Sequence, residues 1–462
     1  MSGRRARGDL RRRRSSLRWA LALALAGGIA CKGKRPPAEV AGQAATVGSW
    51  DAWRDLSPLV ETAKTHAPPV VTKALEEASA MLRDRKALSA YKRLNALAAS
   101  EGRDWIAVAR GDVASLYFTV CVRGIAWRLE DAQGDAPPTR RADFSEDTPV
   151  KPGDISVEAL LTDIDAAAAS KIPALATQAR IARARVAAYV ARCPANEQVA
   201  EMSEGVLKSD LATLAAEGSL TADLAYMWAG IQFAEYSGAA AKPFLLQARE
   251  AGYDDPSVVY LLAVIALEQL ELDRAAEYAQ EAMAAYEQLG DDAQRAQVHF
   301  IEGEIARARK QPKVAREHYV KAQALIPGHV AAMVGEVALV LEGRGETPAI
   351  ELMHKKLDAL VPVALTDGQA AVQNLEALVL LITEPALVAV CRAALLDAVE
   401  DDPSPLRRGL RYFYTATLDA RLAEYQHAQG HAILARDEFE TLEEGAPLVD
   451  QVNAFLQQLG GG

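Results

Sequence analysis

A ladder of small residues recurs through the middle of this 462-residue chain and constrains the fold more than any other feature. From Gly303, the ladder continues with Ala315, Tyr319, Ala322 and Pro327. Copies spaced 34 or 40 residues apart contain Ala229, Ala241, Leu245 and Ala248; Ala263, Ala275, Ala279 and Ala282; and Val337, Ala349 and Met353. Because small residues let helices approach closely, the ladder predicts stacked helix pairs that contact mainly their neighbours.

The ladder resembles the tetratricopeptide repeat (TPR), whose pattern places small residues at set positions of a helix pair, with one large residue among them and a proline near the end. The resemblance is best phased over 222–360, and a more distant copy fits Ala423, Ala435, Phe439 and Pro447. It implies an all-α fold, an α-solenoid of antiparallel helix pairs. Another α-solenoid or an irregular helical bundle would belong to the same fold class.

Helical periodicity covers most of the chain from Trp50 onward, with apolar residues at spacings of three and four and prolines between the periodic segments. One interval, 131–158, lacks this periodicity and contains four prolines, which predicts an exposed loop or hinge. The predicted organisation is an N-terminal helical segment over 50–130, the loop over 131–158, and a TPR-like array over 159–462.

The N-terminus has the composition of an export signal. Residues 1–30 contain eight arginines, one aspartate and a short apolar run that is too short to cross a membrane. The small residues before Cys31 resemble a bacterial lipoprotein cleavage site, although Gly28 replaces the usual leucine. The resemblance implies removal of 1–30, lipidation of Cys31 and, by default, attachment to the outer membrane facing the periplasm. The residues that follow are rich in proline, glycine and small polar side chains without periodicity, which predicts a flexible tether over 31–49. Ordinary secretion with Cys31 as a free thiol is the alternative.

Beyond residue 30 the chain is strongly acidic, with 43 basic and 61 acidic residues. Nucleic acids and anionic lipid surfaces are bound by clustered positive charge, so this composition argues against a nucleic-acid partner. The membrane contact that we expect is the lipid anchor. A protein partner with some positive charge is favoured.

No motif in the sequence indicates a catalytic site. The chain has no phosphate-binding glycine loop, no nucleophile elbow, no His-Glu-x-x-His and no Cys-x-x-Cys. His427 and His431 flank Gly430, and we interpret them as solvated turn residues; the other histidines, including His299 and His318, show no ligand spacing. We therefore predict a non-enzymatic protein with no cofactor and no metal site.

Three cysteines remain besides Cys31. Cys121 and Cys193 could form a disulfide in an oxidising compartment, but their separation in sequence says nothing about their distance in space. The favoured interpretation is that Cys121, Cys193 and Cys391 are small buried apolar residues.

In the TPR family the first helix of each pair lines a concave groove. Carried over by phase, the resemblance implies that a partner contacts Asp223, Tyr226, Phe233, Tyr260, Leu267, Phe300, Glu304 and Arg307. The aromatic members would suit an apolar or helical peptide, and the carboxylates would suit a partner with positive charge. The alternative is that the aromatic side chains pack between helices.

These features together predict a membrane-anchored scaffold or assembly factor that binds another protein of the cell envelope. A small-molecule-binding lipoprotein associated with a transporter is the alternative. It would need a closed apolar pocket of roughly 300–1,000 Å3.

Overall fold

The structure is a computed structural model that describes residues 56–83, 87–97, 102–123, 157–192, 197–360, 368–400, 402–442 and 445–460. The predicted signal peptide, Cys31 and the tether lie outside these residues, as does the predicted loop except for its last two positions. Within the described ranges all regular structure is helical, which confirms the all-α prediction. The helices are α1 Ser57–His66, α2 Pro69–Arg83, α3 Ala87–Asn95, α4 Arg103–Arg123, α5 Val157–Ala168, α6 Pro173–Arg192, α7 Glu197–Ala216, α8 Ala222–Glu235, α9 Gly238–Glu250, α10 Pro256–Glu268, α11 Leu272–Leu289, α12 Asp292–Ala308, α13 Pro312–Leu325, α14 Val330–Arg344, α15 Glu346–Leu360, α16 Gly368–Leu381, α17 Pro385–Asp397, α18 Pro405–Arg421, α19 Tyr425–Glu440 and α20 Ala446–Gly460.

Local sequence signals set many of these helix boundaries. Pro312, Pro385 and Pro405 occupy the first turn of their helices, where the missing backbone N–H costs no hydrogen bond. The side chain of Asp291 caps α12 by accepting hydrogen bonds from two backbone N–H groups of its first turn, at 3.1 Å each. Gly290 ends α11 in the left-handed region, at a φ of 62°.

The chain divides into two compact units, and the division falls within α10 after Leu262. In the first unit, 56–262, helices α1 to α6 share one apolar core that includes Leu75, Ile106, Ile164 and Leu175. Side chains from both sides of the interval 124–156 contribute to this core. The N-terminal helices are therefore docked onto α5 and α6.

The second unit, 263–460, is built mainly from helix pairs joined by short turns. Short connections make sequence neighbours antiparallel, as in α12 with α13 and α18 with α19. The exception is α16, which packs mainly against α14 and α18, so that α15 packs against α17. A core cluster continues through α14 to α20 and ends on α20, where Phe413 of α18 meets the Phe455 ring edge-on at 5.7 Å between centroids. The fold is thus the predicted TPR-like α-solenoid of helix pairs.

Tyr319 shows why the ladder needs small residues. Its side chain on α13 is fully buried, and its ring lies against Gly303 of α12 on one side and Gly335 of α14 on the other. A Cβ atom at Gly303 would lie 2.5 Å from the ring, and one at Gly335 would lie 2.7 Å from it. Three helices therefore meet around one aromatic ring because two of them lack a side chain there.

The residues that the phase assigns to helix contacts are buried throughout 229–353. All of them are at most 1 % exposed: Ala229, Ala241, Leu245, Ala248, Ala263, Ala275, Ala279, Ala282, Ala315, Ala322, Val337, Ala349 and Met353. The turns between the paired helices also repeat. Leu270 and Lys310 each follow a first helix with a φ near 60°, seven residues after Ala263 and Gly303.

The phase that we predicted for the distant C-terminal copy is wrong by seven residues. Ala423, predicted to lie inside a helix contact, is exposed in the turn between α18 and α19 at a φ of 61°. In the repeats that begin at Ala263 and Gly303, the left-handed turn residue comes seven residues after the first ladder residue. Counting back seven residues from Ala423 gives the equivalent buried residues Ala416, Ala428, Ala432 and Ala435. Two turns of helix take about seven residues, so the shifted phase puts small residues on almost the same face.

Glu336 of α14 links three consecutive helices of the second unit. Its buried carboxylate lies 2.8 Å from Lys356 Nζ of α15 and accepts hydrogen bonds at 3.1 Å from Gln323 and Arg316 of α13. Burial alone would raise the pKa of Glu336, but the hydrogen bonds from Lys356, Gln323 and Arg316 outweigh it and lower the pKa.

No helix among the described residues is both long enough and apolar enough to cross a membrane.

Gly303→Ala should destabilise the protein by about 1–3 kcal/mol, because the added methyl group overlaps the buried Tyr319 ring. Gly430→Ala on α19 is the matched control. It also replaces a helical glycine, but no atom lies within 4 Å of its added Cβ, so helix propensity should stabilise it by up to about 1 kcal/mol. Urea denaturation measures both; the same sign for the two variants would contradict the packing argument.

Glu336→Gln should lower the free energy of unfolding by about 1–3 kcal/mol at pH 7, since it removes a buried charged acceptor. The folded-state pKa of Glu336 is depressed, so its contribution is present above the unfolded pKa of about 4.3 and is lost as pH falls through the folded value. The difference between wild type and Glu336→Gln should therefore shrink below about pH 4.3. Glu317→Gln, at an exposed position of α13, should change stability by less than about 0.5 kcal/mol at pH 7. A wild-type advantage that persists unchanged into acid would contradict this account.

Candidate functional site

The predicted groove residues of the first unit are largely interior. Phe233 and Tyr260 are 4 % and 5 % exposed, and burial raises the pKa of Tyr260. Tyr226 is partly exposed; its ring stacks on Tyr253 at 5.1 Å between centroids, and its hydroxyl is 2.8 Å from Ser257 Oγ. Packing between helices, the alternative that the sequence left open, thus describes Phe233 and Tyr260, and only Tyr226 offers surface to a partner.

Asp223 was predicted as an acidic groove residue, and the structure corrects this because its side chain is completely buried. It accepts hydrogen bonds from Nε and Nη2 of Arg185, at 3.0 and 3.2 Å, and from Thr221 Oγ1 at 2.6 Å. Nη1 of the same arginine lies 2.5 Å from Asp112. This buried triad joins α4, α6 and α8, so Asp223 serves internal packing.

In the second unit the apolar groove residues are also buried, whereas the charged ones reach the surface. Leu267 and Phe300 are 6 % and 7 % exposed. Glu304 and Arg307 lie on α12 with partly exposed side chains; Arg307 Nη2 pairs with Glu342 of α14 at 2.6 Å, and Glu304 accepts a short hydrogen bond from the Tyr319 hydroxyl. Arg307 thereby links its helix pair to the next one, while Glu304 joins the two helices of its own pair.

A cluster of His299, Glu302 and His318 lies on the second unit, and the sequence analysis missed it. Glu302 Oε2 is 2.8 Å from His299 Nδ1 and 3.0 Å from His318 Nδ1, and the two imidazole centroids are 5.7 Å apart. All three side chains are partly buried. Burial would raise the pKa of Glu302, but the two imidazoles outweigh it and lower the pKa to about 2.

The expectation that the histidines lie apart is therefore corrected for this pair. His299 and Glu302 are one turn apart on α12, and His318 reaches them from α13. A signal was available in the repeat phase. Glu302 precedes the ladder residue Gly303, His318 precedes Tyr319, and those two ladder residues are in contact.

A small cavity opens beside this cluster between α11, α12 and α13. It encloses about 130 Å3, and its polar lining comprises Gln280, Glu302, Arg309, Gln311 and His318. This volume is below the roughly 300–1,000 Å3 typical of small-molecule sites. The cavity can hold water but not a metabolite of ordinary size.

His427 and His431 both lie within α19, and only His427 is solvated. His431 is packed on the Tyr412 ring and is 2.7 Å from Asp419, so its interpretation as a solvated turn residue is wrong. Arg392 contacts both Asp419 and Glu424, the carboxylate beside His427, so both carboxylates are paired with a cation of the protein.

Cys391 is a buried thiol, as expected, and burial raises its pKa to about 12. The predicted alternatives for Cys121 and Cys193 concern side chains outside the part of the chain that the structure describes.

Comparison with known proteins leaves the chain without an assigned family. No protein-family model matches it, and no curated protein matches it. Among solved structures, the crystal structure of yeast Tom70 aligns with 87 % of this chain and 84 % of its own, at 10 % identity and a TM-score of 0.36. So distant a likeness supports no functional argument. The architecture described above rests on the helix pairs themselves.

Arg185→Met should destabilise the protein by about 3–5 kcal/mol, because Asp112 and Asp223 would remain buried without their cation. Arg180→Met on the same helix is the control: its pairing with Glu217 lies at the surface, so the loss should stay below about 1 kcal/mol. Thermal and urea unfolding of both variants tests this. Equal losses would show that the triad contributes no more than a surface ion pair.

Proposed function

We propose that this chain is a non-enzymatic, lipid-anchored scaffold or assembly factor that faces the periplasm and binds another protein of the cell envelope. The observation that carries this proposal is the row of helix pairs in the second unit. Stacked pairs present an extended surface made of many similar segments, which suits contact with another protein better than contact with a small substrate.

The charged face of α12 and α14 is the contact surface that we favour. Arg307 forms one ion pair with Glu304 on its own helix and another with Glu342 of α14, and the Glu342 side chain is 47 % exposed. The chain beyond residue 30 is strongly acidic. A partner with a basic surface would therefore be attracted over a distance and would bind less well at high salt.

The proposed location rests on the N-terminal sequence. An arginine-rich segment, a short apolar run and small residues before Cys31 are the features of a lipoprotein signal. More than one acyl chain on Cys31 would hold a folded domain stably at the bilayer surface. The proposed attachment is to the outer membrane, and the lipid anchor is the only membrane contact that the proposal requires.

Site-specific photocrosslinking in intact cells tests the interaction surface. A photoreactive phenylalanine analogue in place of Glu342 should capture one discrete envelope protein, and capture should decrease as salt is raised in isolated envelopes. The same analogue in place of Val320 is the matched control, because Val320 is also 47 % exposed but lies on the second helix α13. No product from Glu342, or the same products from both positions, would argue against this surface.

The anchor is tested in the same cells. Cys31→Ala should abolish labelling by an alkyne fatty acid and release the protein from salt-washed membranes, and the crosslink from Glu342 should weaken. Cys391→Ala is the control; this thiol is completely buried, so labelling should be unchanged. A Cys31→Ala protein that stays with washed membranes would contradict lipid anchoring but would leave the interaction surface untouched.

A further inference from the structure

We propose that His299, Glu302 and His318 form a binding site for one divalent transition-metal ion, of which Zn2+ is the representative. This site is independent of the proposed scaffold function. It requires only the helix pair α12 and α13.

The distances within the cluster are close to those between ligands that share one ion. Zn2+ binds imidazole nitrogen and carboxylate oxygen at about 2.0–2.2 Å, so two ligands of one tetrahedral ion lie about 3.3–3.6 Å apart. Glu302 Oε2 is 2.8 Å from one imidazole nitrogen and 3.0 Å from the other. The three ligand atoms all lie within 4.8 Å of one another. Small side-chain rotations can therefore place an ion between them.

Two imidazole nitrogens converge on one carboxylate oxygen in this arrangement. His299 Nδ1 makes a hydrogen bond with Glu302 Oε2, and His318 Nδ1 lies 3.0 Å from the same oxygen. An ion between the three groups would bind the lone pairs of both nitrogens and the carboxylate oxygen at the same time.

The residue types select the class of metal. Two imidazoles and one carboxylate suit Zn2+ and its first-row neighbours, whereas Ca2+ and Mg2+ require mostly oxygen ligands. Three protein ligands leave a coordination position open, and the adjacent cavity of about 130 Å3 has room for water at that position. Arg309 also lines the cavity, but its charge is engaged by Asp273 at 2.6 Å.

The supporting structure is rigid on both sides of the cluster. Gly303 and Tyr319, the next residues after Glu302 and His318, are in van der Waals contact and are fixed by the packing of α12 and α13. Ligands on packed helices are held in place more reliably than ligands on loops.

Calorimetric titration with Zn2+ tests the proposal on the full chain, purified without a polyhistidine tag and freed of metal by chelation. We expect one ion per chain and a melting temperature that rises with Zn2+ concentration. His299→Gln and His318→Gln should each weaken binding by at least about a hundredfold and abolish that rise. His427→Gln is the matched control, since His427 also lies one turn from a glutamate, but that glutamate pairs with Arg392; the affinity of this variant should equal that of the wild type.

Two further measurements cover variants that fold poorly. Glu302→Gln keeps the side-chain volume and should also weaken binding. Co2+ added to the wild type should give visible absorption bands of nitrogen and oxygen ligation, without the charge-transfer bands of a thiolate. Absence of Zn2+ binding by the wild type, equal affinity in the folded His318→Gln variant, or a thiolate spectrum would overturn the proposal.

Discussion

The close approach of α12, α13 and α14 around the Tyr319 ring is the contact on which the second unit depends. It exists because Gly303 and Gly335 have no side chain where the ring lies. A single methyl group at either glycine would force the helices apart or displace a fully buried ring. The same contact sets the positions of the neighbouring residues. The Tyr319 hydroxyl reaches Glu304, and His318 is held beside Glu302.

Buried and partly buried charges form a second level of organisation between helices. The Asp112–Arg185–Asp223 triad joins three helices of the first unit, and Glu336 collects donors from helices on both sides in the second. Such groups cost free energy to desolvate, and they are tolerated when every charge has a partner. They also fix which residues of the predicted groove can face a partner. Asp223 is engaged internally, while Glu304, Arg307 and Glu342 remain near the surface.

The proposed interaction surface and the proposed metal site both use helix α12, for different purposes. Arg307 on α12 links to Glu342 of the next pair, whereas His299 and Glu302 on that helix meet His318 of α13 beside the cavity. An ion at that site would crosslink the two helices of one pair and stiffen part of the array. Because its ligands are not among the predicted groove residues, metal binding and partner binding can be examined separately.

Residue type and spacing were enough to predict helices, their stacking in pairs and the small residues buried between 229 and 353, because helix contacts require small side chains at regular intervals. They were not enough to choose between two phases seven residues apart, because both put small residues on the same helix face. The C-terminal copy was therefore predicted to start at Ala423, which lies in a turn. Only the tertiary structure decided that Phe233, Tyr260 and Phe300 are interior, that Asp223 is paired with Arg185, and that His299 and His318 share one carboxylate. Each of these contacts depends on which side chain a neighbouring helix brings close. The distance between two such side chains is set by how the helices pack and not by the number of residues between them in the sequence.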